Sequence, residues 1–427
     1  MKQKSVSVAT IGYMEDDTQK PDSDNRPTIK VVQTPLTGGH HPVHKEKKGV
    51  VTGPSAPASA EEPEPPTHTK LQQLKHWLGE KLTQKEFVIG SIVFVLLLGS
   101  GIALGLSGDV SAPNPKPQPP APVIKPVAYY SPLTGLPVAK KSATTLPVTG
   151  VMVENSDFAR PQSGLSQAGV VFEALAEGGI TRFLALYQQG TVPSIGPIRS
   201  ARPYFIDWLL PFHAGYAHVG GSPTALADIT SLHVKDMNEF YNASSYHRIS
   251  SRDAPHNVYT SLATLEALQR SKGWTTSVFT GFPRKPDSPS KKPTATSIDY
   301  AMSTSDMEVH YQYSPKHNTY KRSEGGAPMT DATTGQQLDP KVVIAMVVPW
   351  EDGALDSSDA YYTVYSDIGT GTAYVFQDGT VTKGTWTKSS KTSQLEFKTN
   401  SGATLKLNAG QTWITAVGSA SDVSYKT

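Results

Sequence analysis

Two glutamates in the stretch VVFEALAEGG, Glu173 and Glu177, lie four residues apart. In a helix their side chains would be about 6 Å apart, a separation compatible with a paired catalytic acid and base. In a strand the same step spans about 13 Å, which is too long for such a pair. The role of these carboxylates therefore depends on the local secondary structure.

The surrounding pattern favours a β-hairpin. Apolar runs at residues 170–177 and 180–188 flank Gly178-Gly179, a dipeptide that suits a tight turn because both residues tolerate positive φ angles. This hairpin would pair Leu175 with Arg182 and place the guanidinium diagonal to both carboxylates. The two glutamates are thus either an acid/base pair or part of a charged cross-strand cluster.

A polar loop over residues 241–260 contains a histidine in the turn-forming sequence Ala-Pro-His-Asn. A histidine acts as a general base when a carboxylate lies within hydrogen-bond reach, but a turn histidine can equally bond to the backbone. Ligand contact is also predicted for the asparagine that follows it, Asn257. The candidate catalytic residues are Glu173, Glu177, Asp253 and His256.

Arg199 and Arg202 stand at the start of a helix predicted for residues 201–210. The first amide groups of a helix lack partners, so two guanidinium groups beside them could hold an anion together with Arg182. In the alternative interpretation the arginines pair with nearby acids, for which the candidates are Asp207, Asp253 and Glu154.

A second strand-to-helix junction follows at Gly220, Gly221 and Ser222, where Ser222 suits the N-cap of a helix over residues 223–232. His218 ends the preceding strand and joins the predicted ligand-binding set. No short metal-binding spacing such as HExxH occurs, and neither a P-loop nor a GxSxG motif is present, so we expect no metal and no cofactor.

Composition narrows the functional classes. The 39 basic and 37 acidic residues leave a formal net charge of +2 without a basic stripe, which disfavours nucleic acid as a partner. The chain contains no cysteine, and this excludes disulfides, a thiol nucleophile and a lipidated cysteine anchor.

Residues 87–106, FVIGSIVFVLLLGSGIALGL, carry no charge and are long enough to cross a bilayer of ~30 Å as a helix. Four lysines precede this segment within residues 70–86, whereas the next 18 residues contain one lysine and one aspartate. The positive-inside rule therefore places the amino terminus in the cytoplasm and the remaining chain outside, with the lipid bilayer as a partner.

The predicted fold class is an α/β amino-terminal extracytoplasmic domain followed by an all-β domain, expected as a small sandwich or open barrel. Sequence patterns divide the chain into a disordered cytoplasmic tail (1–69), a juxtamembrane helix (70–86), the transmembrane helix (87–106), a proline-rich spacer (107–127), the α/β domain (128–282), a linker (283–294) and the β-rich domain (295–427).

Several stretches resemble the YerB-like family of extracytoplasmic lipoproteins. They are SPLTGLP (131–137), VMVENSDFARPQSGLSQAGVVFEALAEGGITRFLALY (151–187), GPIRSARPYF (196–205), HVGGSP (218–223), APHNVYTS (254–261) and the region around Trp386 and Gly410-Gln-Thr-Trp413. The resemblance covers about 300 residues and implies an α/β domain followed by a β-rich one. It carries over no catalytic residue. The family's usual anchor is a lipidated cysteine, and in this chain a transmembrane helix takes its place.

These observations predict a single-pass envelope protein that acts as a binding or scaffolding module. Its partner is an anionic or sugar-containing cell-wall component, or another envelope protein. The alternative is an envelope hydrolase that acts on wall polymer through a carboxylate and a histidine. The two hypotheses differ in whether a carboxylate lies within hydrogen-bond reach of His256 in a water-shielded pocket.

Overall fold

The structure is a computed structural model that describes residues 128–355 and 361–427. The predicted tail, juxtamembrane helix, transmembrane segment and spacer lie outside these residues. No helix within the described ranges is long and apolar enough to cross a membrane. The described chain is mostly sheet, and its α-helices are α1 (Pro203–Leu209), α2 (Pro223–Ser231) and α3 (Leu262–Ser271).

Strands are numbered in chain order. Those before residue 290 are β1 (Tyr129–Tyr130), β2 (Pro137–Val138), β3 (Thr149–Glu154), β4 (Val170–Leu175), β5 (Thr181–Tyr187), β6 (Gly215–His218), β7 (Lys235–Asn238), β8 (His247–Arg248), β9 (Val258–Tyr259) and β10 (Arg284–Lys285). Those after it are β11 (Ser297–Tyr300), β12 (Val309–Ser314), β13 (Thr319–Glu324), β14 (Ala327–Pro328), β15 (Val342–Val347), β16 (Trp350–Leu355), β17 (Tyr361–Tyr365), β18 (Gly369–Gln377), β19 (Thr380–Lys388), β20 (Glu396–Thr399), β21 (Leu407–Asn408), β22 (Thr412–Val417) and β23 (Val423–Lys426).

One sheet of ten strands runs through both predicted domains in the order β20-β19-β18-β15-β22-β4-β5-β3-β6-β7. The junction is β22, which pairs in parallel with β15 on one side and with β4 on the other. The predicted carboxyl-terminal sandwich is therefore present only in part, because five of its strands extend the amino-terminal sheet and five others form a second sheet that packs on it. Sequence patterns do not show this, since the β22–β4 pairing joins segments about 240 residues apart.

Both faces of the central strands are covered, which explains why every residue of β4 and β5 is buried. On one face, Phe205 and Trp208 of α1 belong to the same core as Phe172 and Leu184. On the other face, Leu262 and Leu265 of α3 pack with residues such as Phe183.

A second sheet, in the order β14-β13-β12-β11-β23, covers the carboxyl-terminal part of the large sheet. Tyrosines of its inner face, including Tyr300 and Tyr311, share a core with Phe376 of β18. The Tyr300 and Phe376 ring centroids are 6.4 Å apart. Packing of one sheet on another buries this face without help from helices.

The predicted hairpin at Gly178-Gly179 is present as β4 and β5, but its register differs by one residue. Leu175 pairs with Thr181, and Arg182 pairs with Ala174. Because successive strand residues point to opposite faces, this shift moves the Arg182 side chain to the face opposite Glu173. The alternation of Leu405 and Leu407 with polar residues predicts a strand at residues 404–407, but only β21 forms there, and it pairs in parallel with β10.

Candidate functional site

The carboxyl ends of three parallel strands, β3, β6 and β7, meet at one edge of the large sheet. Glu154 ends β3, His218 ends β6 and Asn238 ends β7. In open α/β sheets this edge is the usual place for ligands, because loops and helix starts converge there. The polar side chains at this edge are therefore the first candidates for a functional site.

A buried carboxylate and a histidine meet at this edge. The Oε1 atom of Glu154 lies 2.8 Å from Nδ1 of His256 and accepts a hydrogen bond from the Ser156 hydroxyl at 2.9 Å. The Glu154 side chain is 4% exposed and that of His256 is 21% exposed. Oε2 of Glu154 is buried and accepts no hydrogen bond from the described residues. With Nδ1 held by the carboxylate, the ring can offer Nε2 as an acceptor or base.

An aromatic ring stands beside this pair. The ring of Phe158 lies 5.2 Å from the imidazole of His256, centroid to centroid, and Phe158 is 75% exposed. The guanidinium of Arg252 holds the Phe158 loop by donating to the carbonyl oxygens of Phe158 and Pro161 at 2.8 and 2.9 Å. The exposed ring is thus presented by a loop with a defined backbone position.

Polar contacts connect the histidine loop to two further exposed rings. Arg248 donates to Oδ1 of Asn257 at 2.9 Å and to Glu239 at 3.3 Å. Phe240 and Tyr241, which directly follow Glu239, are 64% and 81% exposed. We name the following set the His256 surface: Phe158, Phe240, Tyr241, Arg248, His256 and Asn257.

Glu173 lies away from solvent in a cluster that joins both parts of the chain. Its carboxylate lies 2.8 Å from Nη2 of Arg322 and accepts hydrogen bonds from Trp413 and Thr415 at 2.9 and 3.0 Å. Burial alone would lower the pKa of Arg322, but the carboxylates of Glu173 and Glu324 raise it above its ordinary value. Glu173 is fully buried, so this contact is a structural ion pair with no access for substrate.

Glu177 occupies a different environment, because β4 ends at Leu175 and the glutamate lies in the turn that follows. Its carboxylate forms ion pairs with Arg182, at 2.8 Å, and with Arg202. Burial raises the pKa of Glu177, but the hydrogen bond from Arg202 and the positive charges of Arg182 and Arg202 together outweigh this effect, and the net shift is downward. The two predicted catalytic glutamates therefore do not face each other.

The predicted anion-binding arginines are engaged by carboxylates, as the alternative interpretation proposed. Arg182 and Arg202 are buried and share Glu177, whereas Arg199 has its Nε atom 3.4 Å from Glu154. Burial, together with repulsion from Arg202, lowers the pKa of Arg182 to about 10. A free anion would have to compete with these internal carboxylates.

The polar groups at the strand-to-helix junction of residues 218–222 also form hydrogen bonds with other groups of the protein. The fully buried His218 contacts the Gly220 carbonyl oxygen through Nδ1 at 2.7 Å and Asp236 through Nε2 at 3.0 Å. The amide of Ser222 donates to a backbone carbonyl, and its hydroxyl caps α2 as predicted. Gly221 forms a backbone bridge with the residue preceding Arg202. These groups stabilise the junction and are not directed at a ligand.

Asp253, the remaining predicted catalytic residue, is exposed, and its carbonyl oxygen accepts from the His256 amide at 2.9 Å. The carboxylate that reaches the histidine is instead Glu154, 102 residues earlier. In the sequence Glu154 is a candidate only as a partner for arginine, although the apolar run at residues 146–154 predicts a strand that ends at this glutamate and would place it at the ligand-binding edge. Among the described residues no group of three or more His, Cys, Asp or Glu side chains could hold a metal ion.

Two family models match this chain. One, described as "Protein of unknown function (DUF3048) N-terminal domain", matches residues 133–275, and the corresponding C-terminal domain model matches residues 297–414. The chain is also 33% identical over 291 residues to "Putative lipoprotein YerB" of Bacillus subtilis (strain 168), a match that covers 67% of this chain and 86% of that protein. The chain belongs to the DUF3048 family.

The DUF3048 fold is also seen in a crystal structure of the YerB protein from Bacillus subtilis. Its TM-score with this chain is 0.63 at 29% sequence identity, and the match covers 70% of this chain and all of that chain. The His256 surface lies within the N-terminal DUF3048 domain. The Glu173–Arg322 ion pair connects the N-terminal and C-terminal DUF3048 domains.

Proposed function

We propose that the folded part of this DUF3048 protein is a binding module of the cell envelope, and that it holds a sugar-containing wall component on the His256 surface. The observation that carries the proposal is the ring of Phe158, which is 75% exposed and lies beside the imidazole of His256. The contact of His256 with Glu154 fixes a polar group next to this apolar platform. Such combinations suit sugars, which present C–H faces to aromatic rings and hydroxyl groups to polar side chains.

Charge favours a sugar over a simple anion. The carboxylate of Glu154 is buried under the surface, and Arg199 lies against it. Arg248 is occupied by Asn257 and Glu239. The exposed groups that remain are the three aromatic rings and the Nε2 side of His256, which together offer stacking and hydrogen bonding without a strong net charge.

For the location we propose a single-pass membrane protein with a cytoplasmic amino terminus and an extracytoplasmic folded part. The lipoprotein description of the Bacillus subtilis relative supports membrane attachment. This chain has no cysteine to carry a lipid, and residues 87–106 are apolar over a length that can span a bilayer. The transmembrane segment would then replace the lipid anchor.

One observation favours a second candidate function, an envelope hydrolase. The Glu154 carboxylate orients the imidazole of His256 in the manner of a carboxylate–histidine pair that removes a proton from a nucleophile. Ser156 is placed near Nδ1 of this ring, at 3.4 Å, and not where Nε2 would activate it. A hydrolase would therefore use water as its nucleophile.

Binding to isolated cell-wall sacculi tests both candidates. The purified full chain in detergent is incubated with sacculi, the bound fraction is measured, and released muropeptides are analysed by mass spectrometry. A binding module is retained without new products, and Phe158→Ala or Tyr241→Ala lowers its affinity about tenfold, equivalent to ~1–2 kcal/mol per stacked ring.

Tyr130→Ala is the matched control, because Tyr130 is 56% exposed and lies outside the His256 surface. Equal losses for the control and the Phe158 variant would contradict the proposal. New muropeptides that disappear with His256→Ala and Glu154→Gln would establish the hydrolase instead. Absence of both retention and products would show that the wall is not the ligand and would redirect the search to an envelope protein.

A further inference from the structure

A cleft lies beside the loop that carries Phe158, apart from the His256 surface. It has a volume of ≈ 370 Å³ and separates residues 157–162 from the hairpin formed by β13 and β14. The walls are fixed, because the Ala332 amide donates to the Gln162 carbonyl oxygen at 2.7 Å. Arg252 also holds the wall of residues 157–162 by donating to the carbonyl oxygen of Pro161.

The charged side chains that line this cleft are predominantly acidic. Three carboxylates, those of Asp157, Asp306 and Glu324, face one guanidinium, that of Arg160. Their formal charges sum to −2. The Glu324 side chain is 1% exposed at the base of the cleft, whereas that of Asp157 is 63% exposed at the rim.

The single arginine is held by acceptors and is not available to an anion. Arg160 donates to the Asn155 side chain and carbonyl oxygen at 3.4 and 3.1 Å, and to the Asp306 carbonyl oxygen at 3.1 Å. It also forms ion pairs with Asp157 at 2.9 Å and with Glu324 at 3.4 Å. An incoming anion would have to break these contacts, whereas a cation would find carboxylate oxygens around them.

A buried acceptor without a partner adds an observation that is independent of the acidic residues. Gln162 lines the cleft and is fully buried. Its Nε2 atom donates to the Glu154 carbonyl oxygen and to Oδ1 of Asn155, at 3.0 and 2.8 Å, which fixes the orientation of the amide. Within the described part of the chain its Oε1 accepts no hydrogen bond. A buried acceptor of this kind is normally paired, and a donor on a ligand would satisfy it.

We propose that this cleft binds a primary ammonium group, of the kind carried by lysine and other diamino-acid side chains. An ammonium has three N–H donors and one positive charge. Asp306 and Asp157 would supply the charge, and Gln162 would supply a neutral acceptor. A small metal ion is disfavoured because, within the described residues, these carboxylates do not form a group that could hold a metal ion.

The proposal does not depend on the sugar-binding function of the His256 surface, although both sites share the loop that contains Phe158 and Pro161. A ligand that carries both a sugar and a diamino-acid side chain could occupy the two sites together. Each site is nevertheless tested with its own probe, so that one proposal can fail while the other stands.

The probe is Nα-acetyl-L-lysine methylamide, and its titration into the full chain in detergent is followed by calorimetry. The same compound acetylated on Nε is the control ligand, since it keeps the backbone and the aliphatic side chain but carries a neutral amide in place of the ammonium. We expect saturable binding of the amine, at least tenfold weaker binding of the acetylated compound, and an affinity that falls as salt increases.

Asp306→Asn and Glu324→Gln should each weaken amine binding about tenfold. Asp306 is exposed, so its variant folds even if Glu324→Gln does not. Glu396→Gln, at the far edge of the large sheet, is the matched control and should bind like the unmodified chain. Equal affinity for both compounds, binding unchanged by Asp306→Asn, or no binding of the amine would overturn the proposal.

Discussion

Replacing Glu173 by Gln should destabilise the folded region by about 3–5 kcal/mol. The carboxylate is fully buried and lies 2.8 Å from Arg322, and it also accepts hydrogen bonds from Trp413 and Thr415. The glutamine amide has one oxygen and one NH₂ group in place of two acceptor oxygens, so it cannot satisfy all of these donors. The substitution leaves the Arg322 guanidinium with one buried carboxylate, that of Glu324, in place of two.

Urea unfolding followed by tryptophan fluorescence measures this effect, since Trp413 contacts both partners of the ion pair. Glu396→Gln is the control, because the Glu396–Lys398 pair has a similar distance of 2.8 Å but side chains that are 54% and 38% exposed. An exposed pair of this kind contributes at most ~1 kcal/mol. The measured quantity is the difference between the two losses in unfolding free energy.

A triple variant separates burial of charge from loss of packing. Glu173→Leu, Arg322→Met and Glu324→Leu together remove all three buried charges, and we expect this chain to lose less stability than Glu173→Gln alone. A loss below about 1 kcal/mol for Glu173→Gln would refute the reasoning.

Two further effects follow from the same structure. Burial, with a contribution from Asp207, raises the pKa of Asp367 to about 7. The folded state therefore binds this proton more tightly than the unfolded state, and the associated stability is lost as pH rises from about 4 through about 7. Asp367→Asn should remove this slope from unfolding free energies measured across that range, and an unchanged slope would contradict the assignment. Gly220→Ala should lower the free energy of unfolding more than Gly178→Ala does. For Gly178→Ala we expect a loss of about 1 kcal/mol, measured by thermal or urea unfolding. Both glycines have φ near +60°, but only at Gly220 would the added Cβ meet a neighbour, Cε2 of Phe240 at 2.9 Å. Equal losses in unfolding free energy for the two variants would show that the Phe240 ring moves away from the added Cβ without destabilising the fold.

Local elements of the fold could be predicted because their determinants are local. The apolar run at residues 412–417 predicts a strand with the bounds that β22 has, and Ser222 caps α2 through its side chain. The hairpin after β4 follows from Gly178-Gly179, where both residues have positive φ. In each case the pattern depends on residues within about ten positions of one another.

The register of that hairpin could not be predicted, because a short 3₁₀ turn over Glu177–Gly179 lies between the strands. The turn adds residues that a two-residue loop does not contain. As a result Arg182 faces Glu177, and Glu173 faces Arg322 from the other family domain. Strand β7 was also missed, since Lys235 and Asp236 interrupt any apolar pattern.

The candidate site was harder to predict than the strands, because its side chains come from segments that are far apart in the sequence. His256 was identified from its loop, but its carboxylate partner was not, since Glu154 and His256 are brought together only by the packing of the β3 end against a distant loop. The acidic cleft likewise combines Asp157 with Glu324, from the two family domains. Pairings over such distances depend on tertiary structure that a single sequence does not reveal.

The position of β22 has a consequence for how the protein is made. Ribosomes synthesise a chain from its amino-terminal end, and β22 is made about 240 residues after β4, yet this strand fills the space between β4 and β15. Until it is made, both neighbours expose an unpaired apolar edge, which is a template for aggregation. The large sheet therefore cannot close before β22 is synthesised, and a chaperone that covers these two edges would limit aggregation up to that point.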